Sequence, residues 1–258
     1  MGNIYNGLLG GAPPVQALGD ISATKQDKVG KLIVLDNGQK FRYCKAGAVA
    51  LAAGKMCQSA VKNMYADGTA LAIANASVAN GGRLGDKFCK VTLLNSSPGG
   101  GAMVLAENEL VGGYLIVDLG TGLGHKYLIN GNNATVAAGE CTVYLEDDIR
   151  VAFGDSATAT LSLNPYYGTI IHDSPMTAMM VGVPLVPVTA NYYYWSQTGG
   201  VGCCLQGAAW VTGIPLYVDG SVDGALTPST ETLYGHQVAI AMRVGTNASY
   251  GDCKFIID

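Results

Sequence analysis

His172, Asp173 and Ser174 supply the three side-chain types of a hydrolytic triad, in which a histidine takes the serine proton and a carboxylate orients the histidine. They stand consecutively, however, and neighbouring side chains on a strand project to opposite faces, so the three cannot relay a proton among themselves. His125 and His236 lie beside glycines with no partner at a metal-binding spacing, and all three histidines read as loop or core residues. An enzyme would need His172 or His236 to meet an acid across strands. The run Glu146-Asp147-Asp148 offers oxygens to a hard cation only if others converge on it. A solvated turn is the simpler reading, as it is for Asp219 and Asp223 beside Gly220 and Gly224. Residues 120–126, GTGLGHK, follow a candidate strand as a dinucleotide fingerprint should. A nucleotide site then requires a helix N-terminus, whereas KYLINGN continues as a strand into an Asn130-Gly131 turn, so a glycine hairpin bend is expected. No catalytic residue, metal or cofactor is expected.

The seven cysteines, Cys44, Cys57, Cys89, Cys141, Cys203, Cys204 and Cys253, are odd in number and show no C-x-x-C spacing. That argues against a disulfide framework and a zinc site, and they read as buried small apolar residues. The first residues, MGNIYNGLLGGAPP, lack the basic and continuous apolar regions of a signal peptide, so folding in a reducing cytoplasm is expected. The Asn-x-Ser/Thr triplets at Asn75, Asn95, Asn133 and Asn247 then follow from abundant Asn, Ser and Thr rather than marking glycans. The longest apolar stretch, residues 175–190, is broken by Pro184 and Pro187 and is too short for a spanning helix, so no membrane partner is expected. A net charge of -4 offers nothing to a nucleic-acid backbone.

Charged residues make up 13% of the 258-residue chain, against about 25% in ordinary domains, while 49% are hydrophobic. So few charges do not cover a free monomer. Either neutral Ser, Thr, Asn and Tyr side chains solvate the surface or other chains cover it, and a mean hydropathy of +0.25 favours the second. A homo-oligomer, a trimer first, is expected.

The elements that must carry these residues read as strands. Residues 192–226, YYYWSQTGGVGCCLQGAAWVTGIPLYVDGSVDGAL, alternate aromatic and small-residue runs with glycines too frequent for a helix. Tyr192, Tyr193, Tyr194 and Trp195 lack interleaved basic residues for stacking on bases, and suit burial between sheets or at a subunit interface. Residues 31–45 form two apolar-aromatic runs joined at Asn37-Gly38, a hairpin signal. Small-apolar runs ending at Gly54, Gly139 and Gly213 resemble one another, either as an internal repeat marking three β units or by chance in an Ala/Gly-rich chain. Ser96-Ser97-Pro98 and three glycines give the strongest loop signal. The fold expected is all-β, with barrel or sandwich units of mainly antiparallel strands: residues 30–94, 95–175 and 176–258, the first and last compatible with one barrel. Residues 1–29 read as an extended N-terminal arm. Its scattered apolar residues, Ile4, Tyr5, Leu8, Leu9, Val15 and Leu18, suit docking on a partner, with a frayed terminus as the alternative.

Four stretches, FRYCKAGAVALAAGK, GYLIVDLGTGLGHKYLI, LSLNPYYGTII and YYYWSQTGGVGCCLQGAAWVTGIPLYV, resemble in that order a family of tailed-bacteriophage proteins. Its pattern includes an "RYAKAG" hairpin strand, a "GQTY-I" strand, an "NPY" corner and a "GWVQTGGPA" strand. The resemblance spans residues 30–258; Cys203-Cys204 departs from the small residues the pattern favours, and the arm has no counterpart in it. It implies a head auxiliary protein, a decoration or cement protein that binds the outside of the capsid as a β-rich oligomer. The partners implied are the major capsid protein and further copies of the chain, with the apolar arm residues making the capsid contact. The place implied is the capsid exterior of a virion, after synthesis in the host cytoplasm. A tail, collar or fibre component is the structural alternative, and a carbohydrate-binding β-module or hydrolase the alternative of another class.

Overall fold

The computed structural model describes residues 13–60, 71–74, 76–93, 104–135, 139–154, 156–173, 177–228 and 237–258. Within them the protein is all-β, with sixteen strands, mostly antiparallel, and no helix. The strands are β1 (Leu32–Val34), β2 (Lys40–Ala46), β3 (Cys57–Gln58), β4 (Leu71–Ala72), β5 (Phe88–Thr92), β6 (Tyr114–Leu119), β7 (Lys126–Asn132) and β8 (Glu140–Leu145). There follow β9 (Thr158–Ser162), β10 (Tyr167–Ile171), β11 (Met180–Pro184), β12 (Tyr193–Gln206), β13 (Pro215–Val218), β14 (Ala225–Pro228), β15 (Ala239–Ala241) and β16 (Tyr250–Ile256). The chain divides into one unit of Met1–Val61 with Pro165–Asp258 and an inserted unit of Lys62–Asn164. The division therefore falls at 62 and 164 rather than at 94 and 175. Strand pairing decides this: β4 and β5 join β6–β9, whereas β10 pairs with β2 and β3.

The inserted unit is a six-stranded antiparallel sheet in the order β4-β9-β6-β7-β8-β5. Its two ends meet through a bridge between Ile73 and Val91, backed by Ala74 N donating to Lys90 O at 3.0 Å. Strict alternation turns Leu115 and Val117, Tyr127 and Ile129, Val143 and Leu145, and Ala159 and Leu161 into one shared core. Residues 120–126 form the bend of the β6–β7 hairpin, with Gly120, Gly122 and Gly124 at φ of 81°, 96° and 81°, where a side chain would be strained.

The other unit is organised by the 14-residue β12. The first half of β12 lies between β2 and β11, and β3 and β10 complete a ring back to β2. The second half lies between β16 and β14, and β13 and β15 complete a second ring back to β16. The two rings have the same topology. Counted along the chain, the first strand of each lies beside the third, the third beside the second, then the fourth, the fifth and the first again. The single parallel pair in each joins first to third, β2 to β10 and β12 to β14.

Register repeats as well as order. Lys45 faces Tyr193 as Leu205 faces Tyr250, Val183 faces Gln197 as Ile240 faces Lys254, and Ile171 faces Cys57 as Pro228 faces Leu216. Outside the strands, Leu51 bridges Val188 as Trp210 bridges Gly245, and Gly54 N donates to Pro184 O as Gly213 N donates to Ala241 O. The sequence carries traces of this at Cys44-Lys45-Ala46-Gly47-Ala48 and Cys204-Leu205-Gln206-Gly207-Ala208. Thus β12 is the fifth strand of the first ring and the first strand of the second. The inserted unit occupies the connection between the second and third strands of the first ring; in the second ring that connection is the turn between β13 and β14. The resemblance at Gly54 and Gly213 corresponds to this duplication, whereas Gly139 belongs to the differently connected inserted unit.

Gly54 and Gly213 share a left-handed backbone, φ 69° and 81°, but not their surroundings. An added Cβ at Gly213 meets nothing within 4 Å, while at Gly54 it falls 2.6 Å from the Tyr250 ring. Gly213→Ala should therefore cost about 1 to 2 kcal/mol from backbone strain alone, and Gly54→Ala more, as read from urea unfolding midpoints.

Candidate functional site

The alternation of β2 and β12 separates two faces. Cys44, Ala46 and Tyr194 point into the first ring, where they pack with Leu51, Cys57 and Val181. Phe41, Tyr43 and Trp195 point outward and are nonetheless buried, because residues 13–35 lie over them with Leu18, Val29, Ile33 and Leu35. Polar groups fix this cover. Trp195 Nε1 donates to Gln16 O at 2.9 Å, and Tyr43 OH donates to Gln16 Oε1 at 2.7 Å. Asp27, itself buried, accepts from Val15 N and pairs with Lys31 at 2.6 Å. Tyr43 stacks on Tyr193 at 5.8 Å between centroids and tilts against Trp195 at 5.0 Å.

Of the expected arm residues, Leu18 is thus part of the chain's own first-ring cover and Val15 is exposed on it, while Ile4, Tyr5, Leu8 and Leu9 lie outside the described residues. Of the four aromatics expected at a subunit interface, Tyr194 and Trp195 are buried within the chain, and Tyr192 and Tyr193 keep partly accessible surface.

Among the described residues, the second ring repeats the inner face and lacks the outer cover. Cys204, Cys253 and Phe255 point inward to Trp210 and Leu216. The register places Val201, Cys203 and Leu205 where the first ring has Phe41, Tyr43 and Lys45, and Tyr250 and Asp252 where it has Tyr193 and Trp195. Val201 is 48% exposed, Tyr250 45%, Ile256 40% and Met242, beside Asp252, 47%. An apolar strip therefore runs over β12, β16 and Met242, the residue after β15, interrupted by Lys254 and the Asp252–Arg243 ion pair at 3.3 Å. Six cysteines are buried as expected, but Cys203 is exposed, because it stands on this face. Burial pushes Cys57, Cys89 and Cys253 up to about 12, so their thiols are unreactive. A thiol reagent should modify native protein at no more than one site, Cys203, and at seven after denaturation, as counted by mass.

Among the described residues, His125 and His172 lie apart, one in each unit. His172 is buried; Gly224 N donates to its Nδ1 at 2.9 Å, and Nε2 has no hydrogen-bond partner among the described residues. Asp173 is exposed and Ser174 lies outside the described residues, as does His236. Asp219 accepts from Ser221 N and Val222 N and shapes the β13–β14 turn. In the inserted unit, His125 Nδ1 lies 3.2 Å from Tyr127 OH, which also accepts from Arg150 N. They line a cleft of about 270 Å³ with Gly124, Lys126 and Asp147. Asp148 pairs with Lys87 at 3.7 Å in the open. Among the described residues no cluster of three or more His, Cys, Asp or Glu could hold a metal ion, and no helix is long and apolar enough to cross a membrane.

Burial pulls His172 below its ordinary value of 6.5, against the opposing pull of Asp223, Asp173 and Asp219. A lowered folded-state value means that the unfolded chain takes up the proton first. The stability contributed by neutral His172 is complete above about pH 6.5 and is lost as the pH falls from there through the folded value. Unfolding midpoints should fall as the pH is lowered below about 6.5, and His172→Gln should flatten that dependence.

Compared with family models, curated proteins and solved structures, the chain finds no match in any of the three.

Proposed function

We propose that this chain is a non-enzymatic virion structural protein that binds the outside of a bacteriophage capsid as a decoration or cement protein and stabilises the shell. The observation that carries the reading is the uncovered apolar strip on the second ring of a chain with 13% charged residues, a surface suited to be covered by neighbours. The ordered motif resemblance over residues 30–258 supports it and supplies the partners: the major capsid protein and further copies of the chain, a homotrimer first. The compact β rings, with short turns and no shaft among the described residues, favour a head position over a fibre. Purified protein added to capsids lacking it should co-sediment with them at a saturable ratio and raise their resistance to heat; absence of binding sinks the reading. His125→Ala and His236→Ala should leave assembly and infectivity near wild type, and abolished infectivity with intact folding would favour an enzyme.

A further inference from the structure

The second ring lacks an outer cover for a topological reason. In the first ring, the residues that precede the first strand fold back over its outer face, with Gln16 holding Tyr43 and Trp195. In the second ring, the residues that precede the first strand are the first half of β12 itself, already paired to β2 and β11. No segment of that connection is available to fold back. The face left open carries Val201, Cys203, Tyr250 and Ile256 at positions equivalent to those that the first ring buries or half-buries.

We infer that this face is the docking site for residues 1–12 of a second copy of the chain, so that copies are linked head to tail by exchanged N-terminal segments. Residues 1–12, MGNIYNGLLGGA, contain no charged side chain and carry Ile4, Tyr5, Leu8 and Leu9, which suits an apolar strip and not an ionic one. They continue from Pro13, which is fixed beside the first ring by Lys31 Nζ donating to its carbonyl at 3.3 Å. A chain of twelve residues can span at most about 40 Å, enough to reach a neighbouring copy. Each copy gives one segment and receives one, a heterologous contact, and where the rotation between copies closes a ring the closing contact is intramolecular. The segment then links copies to each other, and the capsid contact lies elsewhere on the body.

The test uses the full chain and its own exposed thiol. Leu8→Cys, mixed as two differently tagged copies and mildly oxidised, should give a disulfide between the introduced thiol of one copy and Cys203 of the other. In wild type, Cys203 should be shielded at micromolar concentration and become reactive on dilution. Deletion of residues 2–12, Leu8→Asp with Leu9→Asp, and Val201→Asp should each weaken self-association by at least about tenfold, with unchanged circular dichroism and thermal unfolding. Cross-linking confined to a single chain, or a truncated protein that stays oligomeric with Cys203 shielded, overturns the inference. So does a truncated protein that stays oligomeric and loses only capsid binding, which would give the segment to the capsid protein instead.

Discussion

Replacing Trp195 with alanine should lower the stability of the two-ring unit by about 3 to 5 kcal/mol, the cost of emptying a fully buried indole site. Trp195 sits on β12 beneath residues 13–35, with its ring against Tyr43 and its Nε1 bound to Gln16 O. Its loss opens a cavity and leaves a buried carbonyl without its donor, and the cover loses one of its three polar anchors at Gln16. The readout is therefore twofold: a lower urea midpoint, and earlier tryptic cleavage at Lys25, which is exposed on the cover. Trp195→Phe keeps most of the ring volume, and should retain more stability than alanine while still loosening the cover. A Trp195→Ala protein with wild-type stability and protease resistance would mean that the cover is held elsewhere.

The second large effect belongs to Gly182. It lies in β11 at φ 105°, next to a bulge in the pairing with β3, and a Cβ there would stand 2.4 Å from Gln197 O. That neighbour is backbone of β12 and cannot rotate away. Gly182→Ala should cost about 3 kcal/mol from strain and overpacking combined, and Gly182→Val should fail to fold. The duplicated position in the second ring is Ala239, a buried residue in a regular stretch facing Leu216. Ala239→Gly should cost only about 1 kcal/mol. Equal losses at the two positions would show that the bulge does not set the requirement.

The all-β architecture was legible from glycine frequency, strand-length aromatic runs and turn pairs, and the hairpins at Asn37-Gly38 and around residues 120–126 followed from local chemistry alone. The similar runs at Gly54 and Gly213 were visible too, because a left-handed turn after a small-residue segment needs glycine in each ring. The unit boundaries were not legible. β2 finds its partners in β10 and β12, more than a hundred residues away in the chain, and no local composition announces such a pairing. The cover over the first ring was hidden for a related reason. Gln16 and Asp27 look like ordinary arm polar residues until Tyr43 and Trp195 are brought beside them. Cys203 looked like its neighbour Cys204, and only strand alternation on an uncovered face separates the two.

The shared strand also sets an order on synthesis. When β2 and β3 leave the ribosome, the strands that pair with them, β10 to β12, are separated from them by the whole inserted unit. At about 5 to 20 residues per second, β2 waits about 7 to 30 seconds before Tyr193 arrives opposite Lys45. The inserted unit, whose strands pair only with one another, has all of its partners in hand well before then. Completion of the first ring delivers the first strand of the second, which closes only after β16 has followed, and a ribosome stalled between residues 164 and 193 holds a finished insert on an unfinished host.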